Sequence, residues 1–437
     1  SAQAEKEARS GEISYNWVGF PGPFRSVWKV LAIAQILLRV TFQLMIAFTA
    51  NCLYTPLERV EHALLLVEDH VIVECGSRSA RELPHCARVV DFGDAILAPG
   101  FVDIHIHGGA GHDFMDADAS GLAAVEQLLF KHGVTSYFPT TVTAPLDQTW
   151  SALDRLASAI ESTSHGDDSR TDRARPLGIH LEGPFLSHIR RGVHPPENLL
   201  LPTLPAFDRF WQAARGHISV MTIAPELEGA REVIEEAAGR GVCVSLGHSD
   251  ADLNSTRAAV AAGARHATHT FNAMRPLDHR APGIIGEVLT DSRLSADIIA
   301  DGIHLDPTIV ELFLKAKGAD AAVLITDAIS ATGMPEGRYR LGTFEVEVKD
   351  GRCLVDGKLA GSVLTMDRAV RNVMQFAHWD LQQALRLATL NPARVAGLAN
   401  RGKLEAGAEA DFVVLSPRGE VRSTIIRGQV AEAVNRN

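Results

Sequence analysis

The sequence has no CxxC pair. Its five cysteines (Cys52, Cys75, Cys86, Cys243 and Cys353) are odd in number and scattered. That excludes a disulfide framework or a cysteine zinc site and leads to the expectation of a reducing, cytoplasmic location. There is no basic excess either: 42 lysines and arginines face 53 acidic residues, a net charge of −11. Without a positive field to collect phosphates, a nucleic-acid partner is not expected, and an anionic small substrate would have to be held by local donors. No run of about 18 uncharged apolar residues appears. The most apolar stretch, 27–50, is interrupted by Lys29, Gln35, Arg39 and Gln43, so no membrane-spanning helix is expected. No small-residue cleavage site comes after that stretch, which argues against a signal peptide. Internal repeats are also missing, and the one biased tract is the polar loop 162–175.

What is present points to a large core. Hydrophobic residues make up 46% and charged residues 22% of 437 positions, the proportions of a globular protein long enough for a barrel and a small appendage. Residues 1–44 differ in composition from the alternating strands after them and are expected to form a non-core extension. From Met45 to about residue 100 the chain reads as short strands. Then apolar strands alternate with amphipathic helices, the strands falling at 101–107, 134–140, 177–182, 218–224, 242–247, 266–270, 296–300 and 323–327. Eight strands alternating with helices predict parallel βαβ units closed into a (β/α)8 TIM barrel over 101–344. Strand-like segments return at 344–349, 352–354, 411–415 and 423–426, with helices at 366–377 and 381–388. The expectation is a small β-sandwich domain built from both chain ends, 45–100 and 345–437.

The polar residues of the barrel strands gather at their C-terminal ends, the face where TIM barrels build active sites. The first strand ends in His105-Ile106-His107, and residues two apart on a strand point the same way. The third ends in His180-Leu181-Glu182, the fifth leads into Gly247-His248, the sixth carries His269, and the eighth ends in Thr326-Asp327. A lone strand-end histidine is more often a satisfied polar residue than a ligand, and Asp327 alone could equally cap the next helix. Recurrence at four strands is harder to ascribe to chance. Four imidazoles with a carboxylate suit one or two divalent metals of the Zn, Fe, Co or Mn type, with a position left open for water.

At these residues a resemblance appears. PGFVDIHIHGG, HLEGPF, LGHSDA, THTFNAM, ADGIHLD, ITDAISATG and LAGSVLTMD, in this order, resemble the amidohydrolase superfamily and, within it, the N-acetylglucosamine-6-phosphate deacetylases. The resemblance runs from about Met45 to the end. It implies that Glu182, His248 and His269 hold the main metal. Some members carry Gln and Asn where His105 and His107 stand; keeping both histidines implies a second metal sharing Glu182. It implies Asp327 as the acid/base. It further implies substrate contacts at Val193 and His194 (in RRGVHPPE), at Asn272 and Ala273 through their backbone, and at Arg280. Asp301, Gly302, Ile303 and His304 complete this set, with Leu359, Ala360 and Gly361 as a late loop over the sugar. The implied reaction is hydrolysis of an N-acetyl amide on a phosphorylated amino sugar, in a homodimer.

Three other readings compete. The galactosamine epimer differs at one hydroxyl, and these motifs do not separate the two sugars. A second is a superfamily member acting on a cyclic amide or an N-acyl compound; carboxylated-lysine members use a lysine where Glu182 sits, and NAM with DGIH resembles a phosphosugar pocket instead. A barrel that has lost its chemistry would have lost metal ligands, whereas every expected position is filled here.

Overall fold

Eight short strands buried on both faces lie at the centre of the molecule, and each is followed by a helix. In the computed structural model, which describes residues 45–80, 83–84, 87–164 and 171–430, they are β1 (Phe101–Ile106), β2 (Val134–Thr141), β3 (Ile179–Glu182), β4 (Ile218–Ile223), β5 (Cys243–Leu246), β6 (His266–Ala267), β7 (Ala296–Ile299) and β8 (Ala322–Ile325). The expected extension over 1–44, and the apolar stretch up to residue 44, lie outside the described residues. Among those described, no helix is long and apolar enough to cross a membrane.

Strands covered on both sides have no solvent face to alternate with, so they read as largely apolar runs, such as Ala-Val-Leu-Ile in β8 and, around the buried Asp297, Ala-Asp-Ile-Ile in β7. All pair in parallel: β1 with β2, β2 with β3, and so on through β6, and β7 with β8. Backbone hydrogen bonds join the remaining seams. Thr270 N–H donates to Asp297 O at 2.9 Å between β6 and β7. Asp327 N–H donates to His105 O at 2.9 Å, and His107 N–H to Ala328 O at 2.8 Å, between β8 and β1. The result is a TIM-barrel-like α/β domain.

The helices that follow the strands are α1 (Ala119–Lys131), α2 (Leu146–Ser164), α3 (Leu204–Ala213), α4 (Ala230–Gly239), α5 (Leu253–Ala262), α6 (Gly283–Thr290), α7 (Pro307–Ala321) and α8 (Met366–Ala377), and two more, Leu381–Ala388 and Leu390–Val395, come after α8. Their starts obey capping chemistry: the Asp118, Thr203 and Asp252 side chains accept N–H bonds in the first turns of α1, α3 and α5. Their apolar faces (Leu122, Val125 and Leu129 of α1; Val233 and Ile234 of α4; Val370 and Val373 of α8) join the strand side chains in one core.

Strands from both chain ends meet in a second sheet. Its order is Val421–Ile425, Phe412–Leu415, Ile96–Pro99, Ile46–Tyr54, Arg59–Glu68 and Val71–Ser77, with Arg88–Asp91 also beside Ile46–Tyr54. By hydrogen bonding it is one mixed seven-stranded sheet, with its own core around Phe48, Leu53, Leu65, Leu97 and Phe412. Phe344–Lys349 and Arg352–Val355, expected in that small domain, pair with Gly337–Leu341 and Lys358–Leu359 in a separate four-stranded antiparallel sheet. It is inserted between β8 and α8. It packs on the β8 exit through Ile329 and Ala331, which contact Leu341, Val346, Cys353 and Ala360. Alternation along a strand shows which side chains share a face but not which strand lies alongside, and these two sheets differ only in that.

Candidate metal centre

The barrel mouth gathers buried titratable groups from five strands. His105 lies on β1 and His107 one residue past its end, while Glu182 closes β3. His248 and His269 lie just beyond β5 and β6, and Asp327 just beyond β8. Glu182 is at the centre. Its Oε1 is 3.3 Å from His248 Nε2, 3.2 Å from His269 Nε2 and 3.4 Å from His105 Nε2. Its Oε2 is 3.3 Å from His107 Nε2 and 3.6 Å from His194 Nε2. Asp327 Oδ1 lies 3.2 Å from His107 Nε2 and 3.6 Å from His105 Nε2.

These donors form two triangles that share Glu182: Glu182, His248 and His269, and His105, His107 and Glu182. Within the first the edges are 3.0, 3.2 and 3.3 Å, the two to Glu182 both ending on Oε1; in the second His105 and His107 are 3.2 Å apart and reach different Glu182 oxygens, Oε1 at 3.4 Å and Oε2 at 3.3 Å. Ligands about 2.0–2.1 Å from a tetrahedral ion are spaced by roughly 3.3–3.4 Å. The imidazole and carboxylate donors and their spacing therefore fit a divalent metal.

Electrostatics agree with the geometry. Burial pushes Glu182 up, yet the surrounding imidazoles, His105 first, hold it well below the ordinary carboxylate range. Asp327 likewise drops to about 2, burial being outweighed by His105 and His107. Burial works against charge on His107 and His269 too, but contact with Glu182, and with Asp327 for His107, lifts them to about 10 and about 9. His248 falls to about 4, because burial dominates its single carboxylate contact. Among the protein groups alone, two buried carboxylates are compensated only by protons on imidazoles, and a bound cation would displace those protons.

The backbone here is unusual. His248, His269 and Asp327 adopt φ of +47°, +30° and +48°, and Phe271 and Ala273 are also left-handed. Non-glycine residues seldom do this, and such conformations collect at functional sites because the surroundings over-determine them. Gly361 sits where no side chain fits: a Cβ there would lie 2.4 Å from Ile329 Cγ2 and 3.0 Å from the Asp327 carbonyl.

His194 reaches the cluster from the loop after β3. Its Nδ1 accepts the Thr143 N–H at 3.3 Å and lies 2.8 Å from Thr143 Oγ1, which leaves the proton on Nε2, facing Glu182. Val193 packs against the antiparallel sheet. Asn272 has a buried Nδ2 with no partner, and Ala273 O accepts the Ser249 N–H. Asp301 and His304 form a close pair, 2.7 Å, at the end of β7, with Ile303 N–H also on Asp301 and Gly302 left-handed at φ +76°. Ala360 is buried and Leu359 half-buried. Arg280 lies exposed in the 276–282 loop, where its backbone N–H donates to Asp278 Oδ1 at 2.8 Å.

Four buried residues of the site do not stand out in the sequence. Asp103 accepts from Thr326 Oγ1 at 2.6 Å and from the His105 N–H at 3.3 Å, and burial raises it to about 7. His180 packs edge-on to His105, centroids 4.5 Å apart. Its Nδ1 is 3.0 Å from Ile104 O and its Nε2 2.8 Å from Thr222 Oγ1, and burial keeps its basicity well below the usual value. Asp297 and His266 pair beneath His269 at 2.9 Å. A signal exists for two of them: Asp103 and His180 stand two residues before His105 and Glu182, on the same strand face.

Comparison with known proteins agrees with this site. The profile of the amidohydrolase family matches residues 96–431. The chain is 42% identical over 354 residues to N-acetylglucosamine-6-phosphate deacetylase of Bos taurus, covering 78% of this chain and 84% of that one. It is 39% identical over 341 residues to the enzyme of that name from Lysinibacillus sphaericus, covering 78% and 86%. Its fold superposes with a TM-score of 0.82 on a solved variant of N-acetyl-D-glucosamine-6-phosphate deacetylase from Mycobacterium smegmatis in complex with N-acetyl-D-glucosamine-6-phosphate. That match has 35% identity and covers 88% of this chain and 99% of the other. The chain belongs to the amidohydrolase family, among the N-acetylglucosamine-6-phosphate deacetylases.

Proposed function

We propose that this chain hydrolyses the acetamide of N-acetylglucosamine 6-phosphate to acetate and glucosamine 6-phosphate. The observation that carries the reading is the pair of donor triangles on Glu182 with the Asp327 carboxylate 3.2 Å from His107, in a chain of this family. Glu182, His248 and His269 would hold one metal, and His105 and His107 with Glu182 a second, of the Zn, Fe, Co or Mn type. A divalent metal held there lowers the pKa of a bound water and polarises a carbonyl.

The protein's own groups supply the proton transfers. Asp327, ionised and buried at the mouth, accepts the proton of the attacking water and delivers it to the leaving nitrogen, since an amine anion is too poor a leaving group. His194, with its proton on Nε2, would donate to the acetyl oxygen as negative charge develops there. Asn272 offers an unpartnered amide, and Ala273, Val193, Asp301, Gly302, Ile303, His304, Leu359, Ala360 and Gly361 would line the sugar. Arg280 and His304 are the proposed phosphate donors, Arg for its planar fork. We also propose a cytoplasmic homodimer, to be checked by light scattering and fractionation, and a small β-domain beside the barrel made of the mixed sheet of 46–99 and 412–425, without 344–355 and α8.

The test is acetate release from N-acetylglucosamine and N-acetylgalactosamine, each with and without the 6-phosphate, by metal-replete and chelated protein. Metal-dependent release fastest from N-acetylglucosamine 6-phosphate is expected. Preference for the galactosamine epimer would reassign the sugar, and no release from either phosphate would overturn the reading. Arg280→Ala should lower kcat/KM by about 10²-fold on the phosphorylated sugar alone.

A further inference from the structure

The four imidazoles around Glu182 are anchored in two different ways. His107 and His248 are oriented through the ring, Nδ1 lying 3.2 Å from the Thr140 carbonyl and 3.1 Å from the Arg190 carbonyl. His105 and His269 have no partner on Nδ1. A histidine ligand normally uses its second ring nitrogen to fix both tautomer and aim. Where that bond is missing, the aim of the ring depends on how firmly its backbone is held.

For His269 the hold is visible. Asp297 Oδ1 accepts the His269 N–H in a short bond, and the Asp297 carbonyl accepts the next N–H, that of Thr270, at 2.9 Å. Asp297 is 1% exposed, and its other oxygen, Oδ2, accepts from His266 Nε2 at 2.9 Å. His266 Nδ1 is in turn 2.7 Å from Ser295 Oγ. All this converges on a residue at φ +30°, a conformation that persists only where its surroundings enforce it. The arrangement recurs at the other ligand that lacks an Nδ1 partner: Asp103 Oδ1 accepts the His105 N–H at 3.3 Å and is itself held by Thr326.

We propose that Asp297, braced by His266, is a positioning residue: it holds His269 through the peptide N–H, doing for that ligand what a ring hydrogen bond does for His107 and His248. The inference rests on the proposed role of His269 as a metal ligand. Its test therefore measures metal directly on the full chain, by Co(II) affinity in competition with a chelator and by the visible spectrum of the Co(II)-loaded protein. Asp297→Ala should bind Co(II) about 10- to 100-fold more weakly with an altered spectrum, while the chelated protein melts within a few degrees of wild type. Asp297→Asn keeps an oxygen for the His269 N–H and should restore affinity and spectrum. Wild-type affinity in Asp297→Ala would overturn the proposal, as would an Asn variant as weak as Ala. Should Asp297→Ala fail to fold, His266→Phe removes the brace and leaves the carboxylate; a loss of about 3- to 10-fold is expected, and unchanged binding refutes the idea. A wild type that takes up no Co(II) would overturn the metal reading itself, an outcome separate from the others.

Discussion

Two clusters of charge lie at opposite ends of the barrel, one of them half-buried, and they are neutralised differently. At the end where β1 and β2 begin, Arg175 and Arg401 enclose Glu409 and Asp411. Arg175 Nη2 is 2.8 Å from Glu409 Oε2 and 2.7 Å from Asp411 Oδ2, Arg401 Nη2 is 2.8 Å from Glu409 Oε2, and Arg401 Nη1 contacts Asp411. Asp411 also ties the sheet to the barrel, its carbonyl accepting the Gly100 N–H. Two guanidiniums and two carboxylates cancel at any pH the protein meets, because arginine does not give up its proton. At the mouth, Glu182 and Asp327 face only imidazoles, whose charge depends on protons. A cluster closed by fixed cations can only hold structure together; one closed by exchangeable cations can exchange them for a metal.

The contrast can be broken or sharpened by experiment. The largest effect is expected at the mouth: Asp327→Asn should keep its metal by elemental analysis while kcat falls by about 10³ or more, because both proton transfers are lost. A near wild-type rate would remove Asp327 from the mechanism. At the other end, Arg401→Met should destabilise the fold by about 1–3 kcal/mol in denaturant unfolding, since it removes one of two guanidiniums and leaves Glu409 and Asp411 to share Arg175. Metal content and turnover of the folded fraction should not change; a loss of metal would mean the clusters are coupled.

A pH series tests the proton dependence of the mouth. In chelated protein, His107 and His269 hold protons up to about 10 and about 9, above the unfolded value near 6.5. Their stabilisation is therefore fully present below about pH 6.5 and is lost as pH rises through 9 to 10. Metal-loaded protein uses neutral imidazoles and escapes that loss, so the melting-temperature gap between loaded and chelated protein should widen from pH 7 to 10. A constant gap would contradict the assignment. The smallest change is one of stoichiometry: reconstituted wild type should hold close to two metals per chain and His105→Gln about one. A wild type that never exceeds one would remove the second position.

The alternation of strands and helices, and the histidines and carboxylates at strand ends, are legible in the sequence because both arise from local rules. A strand covered on both sides is mostly apolar, many of its polar residues collect near its C-terminal end, and a period of two puts His105 beside His107. The motifs around them point to the family. The resemblance implies that two ligand sets share Glu182, but the packed chain was needed to show that 344–348 pairs with 337–341 and not with the sheet of both chain ends, and that Asp297 reaches back to the His269 peptide. The first is a hairpin between neighbouring segments and the second joins residues 28 apart; what each packs against selects it. Nothing in the period of either segment records its partner.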